Sequence, residues 1–129
     1  MIFKASSPVI LIVEDETMIR MGAAALVEDL GCEFFEASSA DEAIALLEQH
    51  PQITIVFTDI QMAGSMDGLE LAAYARRRWP PLKFIIVSGN HSATALEMPE
   101  GARFFPKLPY RHDWRGDMHI RSVILALRG

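Results

Sequence analysis

Ile53-Thr54-Ile55-Val56-Phe57-Thr58-Asp59-Ile60-Gln61-Met62 is the stretch from which the rest of this chain is read. β-Branched and aromatic residues run unbroken to Phe57, a polar step follows at Thr58, and a single carboxylate closes the run at Asp59. With Pro51 before it and Gly64 after it, such a run is the pattern of a strand buried on both faces. A sheet is buried on both faces only when helices cover it, which makes this a central strand of an α/β domain. Ligands of open α/β sheets bind beyond the carboxyl ends of the strands. Asp59 sits at that end and is the first candidate for chemistry.

Upstream, Val9-Ile10-Leu11-Ile12-Val13 is a second apolar run, again closing on carboxylates, Glu14, Asp15 and Glu16. A helix is expected from Thr17 to Leu30, with Met18, Met21, Ala25, Leu26 and Leu30 on its apolar side and Gly31 as the left-handed residue beyond its end. Glu33 to Ala37 reads as a short strand. Ser39 then opens a capping box with Glu42, and the helix that follows turns Ala43, Ile44 and Leu47 inward before Pro51 stops it.

Downstream, Asp67 and Glu70 form a second cap, opening a helix through Arg78 with Leu69, Ala72, Ala73 and Arg76 in register. Arg76-Arg77-Arg78 falls in its last turn, where cations favour the helix dipole, so a solvated helix end explains it better than an anion site. Leu82 to Val87 is the fourth strand, ending on Ser88-Gly89-Asn90, and Ser92 to Met98 is a short helix cut off by Pro99. Ala102 to Pro106 is a fifth strand leading to Lys107. Pro106 lacks an N–H, which suits an edge strand. Met118, Ile120, Val123, Ile124 and Leu127 give a closing helix one apolar face. Strand and helix alternating in this way imply parallel strands, right-handed crossovers and helices on both faces. A closed eight-fold barrel would need about twice the length.

Composition narrows the function. At 129 residues the chain reads as one domain, Met1 to Ser7 forming an N-terminal extension. A formal charge of −5 argues against direct nucleic-acid binding, which needs a basic face. The lone Cys32 excludes an internal disulfide, fits a reducing compartment, and reads as a small apolar residue. No apolar run approaches the ~20 residues of a membrane span, and the first seven residues are too short for a signal peptide. A cytoplasmic chain with no membrane contact is expected. The four histidines show no metal-ligand spacing and are expected at the surface.

The carboxyl ends of the strands then collect Glu14 and Asp15, Asp59, Ser88 and Lys107 along one edge. Carboxylates gathered there repel one another by about 3 kcal/mol per pair at roughly 5 Å and an effective dielectric near 20. A divalent cation held by a few carboxylates and waters would offset that, and such a donor set suits Mg²⁺. Lys107 adds fixed positive charge and Ser88 a hydroxyl, completing a site for a transferring phosphoryl group with Asp59 as nucleophile. Singly, each residue has an ordinary explanation: a cap or turn for Asp59, a turn for Ser88-Gly89, a solvated lysine, an acidic first helical turn. The joint arrangement in strand order is what favours chemistry.

These residues resemble the receiver domains of two-component response regulators, over nearly the whole chain from about Val9. Val13-Glu14-Asp15-Glu16 is similar to the family's acidic pair, and Thr58-Asp59-Ile60-Gln61-Met62 with Met66-Asp67-Gly68 to its phosphoacceptor strand and loop. Val87-Ser88-Gly89 is similar to the switch hydroxyl, and Phe104-Phe105-Pro106-Lys107 to the family's lysine with a switch aromatic at Phe104. The resemblance implies a flavodoxin-like, doubly wound five-stranded parallel sheet in the order 2-1-3-4-5, with a shortened fourth helix between Ser88 and Lys107. It also implies Mg²⁺ held by Asp15, Asp59 and the backbone carbonyl of Gln61, with Glu14 acting through water. Asp59 would take a phosphoryl group from a histidine kinase or a histidine phosphotransfer protein. Ser88 and Lys107 would contact that group, and Phe104 would fill the space the hydroxyl leaves, altering the surface shown to a downstream protein.

Three departures stand out. The family's proline after Met62 is Ala63 here, the loop before Asp67 is one residue longer, and the family's Lys-Pro pair reads Lys107-Leu108-Pro109. An X-Pro bond is the one cheap site for a cis peptide. Either Leu108-Pro109 supplies the cis bond that aims the lysine, or the lysine is displaced. The rival reading is therefore a receiver-like interaction module that does not phosphorylate. An aspartate-nucleophile phosphatase would resemble a pattern with a second Asp where Gln61 stands, and an FMN protein would want a Ser/Thr/Gly-rich phosphate loop where Glu14-Asp15-Glu16 would repel it. The expected protein is not an enzyme beyond its own phosphorylation and dephosphorylation. With no output domain after Gly129, its effect is expected to pass through a partner.

Overall fold

The computed structural model describes residues 8–88, 102–106 and 118–127. Along the chain these form β1 (Val9–Val13), α1 (Thr17–Asp29), β2 (Glu33–Ala37), α2 (Ala40–Gln49), β3 (Ile55–Asp59), α3 (Gly68–Arg78), β4 (Lys83–Ser88), β5 (Ala102–Pro106) and α4 (Met118–Ala126). The strands make one parallel sheet in the order β2-β1-β3-β4-β5. β3 lies at its centre and every residue of it is buried, as the unbroken apolar run requires. β5, with Pro106 at its end, is an edge strand.

Alternate residues of a strand point to opposite faces, so each central strand feeds two cores. On one face Leu11, Val56 and Phe84 meet Ala43 and Leu47 of α2 and Leu71 and Ala75 of α3. On the other, Ile10, Phe57 and Ile85 meet Leu26 and Val27 of α1 and Ile120 and Ile124 of α4. Cys32 is buried within this second core outside any disulfide, filling space as a small apolar side chain does. No described helix is long and apolar enough to cross a membrane.

Two helices bury only part of the face expected of them, Leu26 of α1 and Ala72 of α3 being inward as expected. In α1, Met18 and Met21 are 65% and 61% exposed, and the buried positions are Ala23, Leu26 and Val27. In α3 the buried residues are Gly68, Leu71, Ala72 and Ala75, so Leu69, Ala73 and Arg76 lie on the flank of the inward face. Both helices carry small or apolar residues on several sides, so periodicity alone did not single out the buried positions. The α3 cap is complete, Asp67 accepting from the Glu70 N–H at 2.8 Å and Glu70 from the Asp67 N–H at 3.0 Å. At α2, Ser39 accepts from the Glu42 N–H at 3.2 Å, but the Glu42 carboxylate reaches the N–H of Ser38 at 3.1 Å, one residue before the cap. Gly31 takes φ 74° after α1, the left-handed turn expected of it.

Two of the three arginines ending α3 are engaged locally, Arg78 pairing with Glu48 at 3.2 Å and Arg76 donating to the Pro80 carbonyl at 2.8 Å. His50 departs from the expectation of a surface histidine: it is half-buried and its ring stacks on Phe35 at 4.2 Å. The helix expected over Ser92–Met98, the shortened fourth helix of the resemblance, lies outside the described residues.

The observed register of α1 has a direct thermodynamic signature. Leu26→Ala is expected to lower stability by about 2–5 kcal/mol through a core cavity. Met21→Ala should change it by no more than ~0.5 kcal/mol. Urea denaturation of the two variants checks the contrast.

Candidate functional site

Parallel pairing aligns the strand ends. Val13 stands opposite Thr58, and Asp59 opposite Val87, so Glu14 and Asp59 emerge side by side at the carboxyl edge of β1 and β3. Val87 stands opposite Phe105 and Ser88 opposite Pro106. Backbone register therefore carries Ser88 to the same edge. Phe104 stands opposite Ile86 in β4. The Ser88 and Phe104 side chains, together with Lys107, Leu108 and Pro109, lie outside the described residues.

At that edge Glu14, Asp15 and Asp59 each offer a carboxylate oxygen, and the three oxygens lie within 4.8 Å of one another. Glu14 and Asp59 are only 4% and 6% exposed, whereas Asp15 is open to solvent. Buried carboxylates carry a desolvation cost unless they are hydrogen-bonded. Backbone N–H groups meet all three: Glu16 donates to Glu14 Oε2 at 3.0 Å, Gln61 to Asp59 Oδ1 at 3.3 Å, and Ala63 to Asp15 Oδ2 at 3.1 Å. Thr58, fully buried, donates its hydroxyl to the Asp59 carbonyl at 3.0 Å. An open cleft lined by Asp15, Ile60, Gln61, Met62, Ala63 and Asp67 leads to this edge.

A hard divalent cation takes oxygen ligands, and three converging carboxylates at this spacing form a donor set of that kind. The spacing fits the expectation of a Mg²⁺ site. Gln61 lies on the cleft two residues beyond the end of β3, its N–H donating to the Asp59 carboxylate.

Three features were not evident from residue pattern alone. Arg20, five residues after Asp15 on α1, donates to the Glu14 carbonyl at 2.8 Å and pairs with Glu36 of β2 at 3.3 Å, tying the acidic turn to the neighbouring strand. Its one sequence signal is a single basic residue in an otherwise uncharged first half of that helix. Gly68 starts α3 hard against the end of β3, its N–H donating to the Ile60 carbonyl at 2.7 Å. A Cβ at Gly68 would fall 1.9 Å from the Asp59 carbonyl oxygen and 2.9 Å from Ile60 Cα. Third is the Ala63 N–H on Asp15, a contact between loops 48 residues apart.

Against known families, residues 10–102 match the model of the response regulator receiver domain. The chain belongs to that family. Among curated relatives of this receiver, the sensor kinase CckA of Brucella abortus (strain 2308) is 36% identical over 102 residues, 78% of this chain. A putative NtrX-like response regulator of Rickettsia bellii (strain RML369-C) is 33% identical over 81% of it. The chain spans 11% of the first and 22% of the second. The solved receiver domain of NtrX from Brucella abortus superposes with a TM-score of 0.74 at 31% identity, covering 92% of this chain and 97% of that one. Receivers of two-component systems take phosphoryl groups from histidine kinases and bind Mg²⁺ at an acidic pocket, so the acidic edge of this receiver is where its chemistry is to be sought.

The close approach at Gly68 predicts that Gly68→Ala, which would improve helix propensity elsewhere, destabilises here. A clash with unyielding backbone should cost at least ~1–3 kcal/mol. Chemical denaturation, with cation affinity measured alongside, checks whether α3 and the β3 end shift together.

Proposed function

We propose that this receiver accepts a phosphoryl group on Asp59 from the phosphohistidine of a histidine kinase or histidine phosphotransfer protein, with Mg²⁺ at the acidic edge. The observation that carries it is the convergence of Glu14, Asp15 and Asp59 within 4.8 Å at the end of a buried central strand, in a chain of this family. An Asp59 carboxylate oxygen attacks phosphorus, the new O–P bond forms as the P–N bond breaks, and the electron pair stays with the departing imidazole. The Gln61 N–H on Asp59 Oδ1 helps hold the carboxylate in place.

Asp15, Asp59 and the Gln61 backbone carbonyl would hold Mg²⁺, with Glu14 acting through water. The ion supplies positive charge that offsets the carboxylates and the phosphoryl oxygens. Ser88 and Lys107 are assigned the remaining phosphoryl contacts, and Phe104 the movement that follows the Ser88 hydroxyl. Acceptance then biases a two-state surface read by a downstream protein. In this reading 1–129 is one receiver domain with 1–7 as an extension. It works in the cytoplasm without direct nucleic-acid or membrane contact, and its catalysis is confined to its own phosphorylation and dephosphorylation.

Asp59→Asn keeps size and polarity but removes the nucleophile. Incubated with a small phosphodonor and Mg²⁺, the native chain should gain one phosphoryl group by intact mass and this variant none. Uptake by neither would favour a receiver fold kept only for protein interaction.

Mg²⁺ alone should also stabilise the fold, by ~1.4 kcal/mol at ten times its Kd. That is a rise of a few degrees in Tm. Asp15→Asn should shrink the rise, and thermal melts across a Mg²⁺ series measure both. A melting temperature indifferent to millimolar Mg²⁺ would count against an assembled cation site.

A further inference from the structure

The three carboxylates of the acidic edge are held in two different ways. Glu14 and Asp59 are buried, and each is bonded by an N–H two residues further along its own chain segment. Asp15 is exposed, and the N–H that meets it comes from Ala63 on the loop between β3 and α3. An exposed aspartate is free to sample several staggered rotamers. A charge-assisted bond to one carboxylate oxygen selects the rotamers that face the cleft.

We propose that Ala63 is a positioning residue for the cation site: its backbone N–H aims Asp15 at the Glu14–Asp59 pair and leaves the second Asp15 oxygen for the metal. This rests on the Mg²⁺ reading above and adds to it a determinant of affinity. The bond and the gathered carboxylates occur in one and the same arrangement, so the contact is compatible with the site rather than a competitor for it. Two further contacts hold the loop that carries the donor. Ser65 donates to Asp41 Oδ1 at 2.8 Å, and Gly68 donates to Ile60. Rotamer freedom removed before the ion arrives is not lost on binding, which raises affinity without a new ligand. Proline has no N–H. A receiver with proline at this place, as the family pattern has, lacks the donor, so Ala63 gives this chain a means of its own for holding Asp15.

Calorimetric titration of Mg²⁺ into the native chain, Ala63→Pro and Ala63→Gly, at constant ionic strength, tests the proposal. Ala63→Pro should raise the Kd by about threefold to tenfold, below the range typical of more buried outer-sphere partners. Ala63→Gly keeps the N–H and should stay within about twofold of native on the same reasoning. A proline variant binding as tightly as native, or a glycine variant weakened as much as the proline one, overturns the proposal and leaves the Mg²⁺ reading intact. A native chain that binds no Mg²⁺ overturns both. Amide hydrogen exchange on the native chain needs no variant to fold: the Ala63 N–H should stay protected at saturating Mg²⁺. Loss of that protection would make the bond a competitor of the ion and overturn the assignment.

Discussion

Three carboxylates converge within 4.8 Å at the end of a sheet covered on both faces, and two of them are withdrawn from water. Left to themselves, like charges in such a place push the loops that carry them apart. Much of the surrounding backbone opposes that push. The Glu16, Gln61 and Ala63 N–H groups each meet one carboxylate, and Arg20 braces the turn that bears two of them. These backbone contacts hold the three carboxylates together at the edge, each oriented by a dipole of the surrounding chain.

The scaffold makes that tension tolerable. β3 is buried along its full length, and its side chains divide between the two cores, so its end is fixed from both faces of the sheet. α3 is pressed against the same end, Gly68 lying so close to the Asp59 carbonyl that no other side chain fits. The carboxylate of Asp59 therefore has a rigid origin and little room to retreat. Phosphoryl transfer depends on positioning more than on covalent chemistry by the protein, so such rigidity suits the role proposed for Asp59.

Much of this was legible in the residues. Unbroken apolar runs closing on Asp59 and on Glu14 identified buried strands and the edge on which carboxylates gather. Asp67 and Glu70 announced the start of α3, and Pro106 marked an edge strand. What escaped has physical reasons. Helices with small or apolar residues on several sides present no sharp apolar stripe, so Met18 and Met21 of α1 and Leu69 and Ala73 of α3 were placed inward where Ala23, Val27, Leu71 and Ala75 are buried. Glu42 caps Ser38 rather than Ser39 because a flexible glutamate selects whichever N–H the turn exposes, a choice spacing does not encode. The Ala63 and Arg20 contacts join segments distant in sequence or run to backbone atoms, and residue type carries no mark of either.

The outer strand β2 has a consequence for how copies of this molecule meet. Among the described residues its outer edge is an unpaired row of backbone groups, the kind of border along which sheets fuse. Here Glu33 and Glu36 are exposed on that strand, and Glu36 is already engaged by Arg20. A second strand laid alongside would set like charge against like charge and disturb the ion pair that steadies the acidic turn. Fusion of two β2 edges is thus opposed by charge, which is one way sheet borders are kept apart.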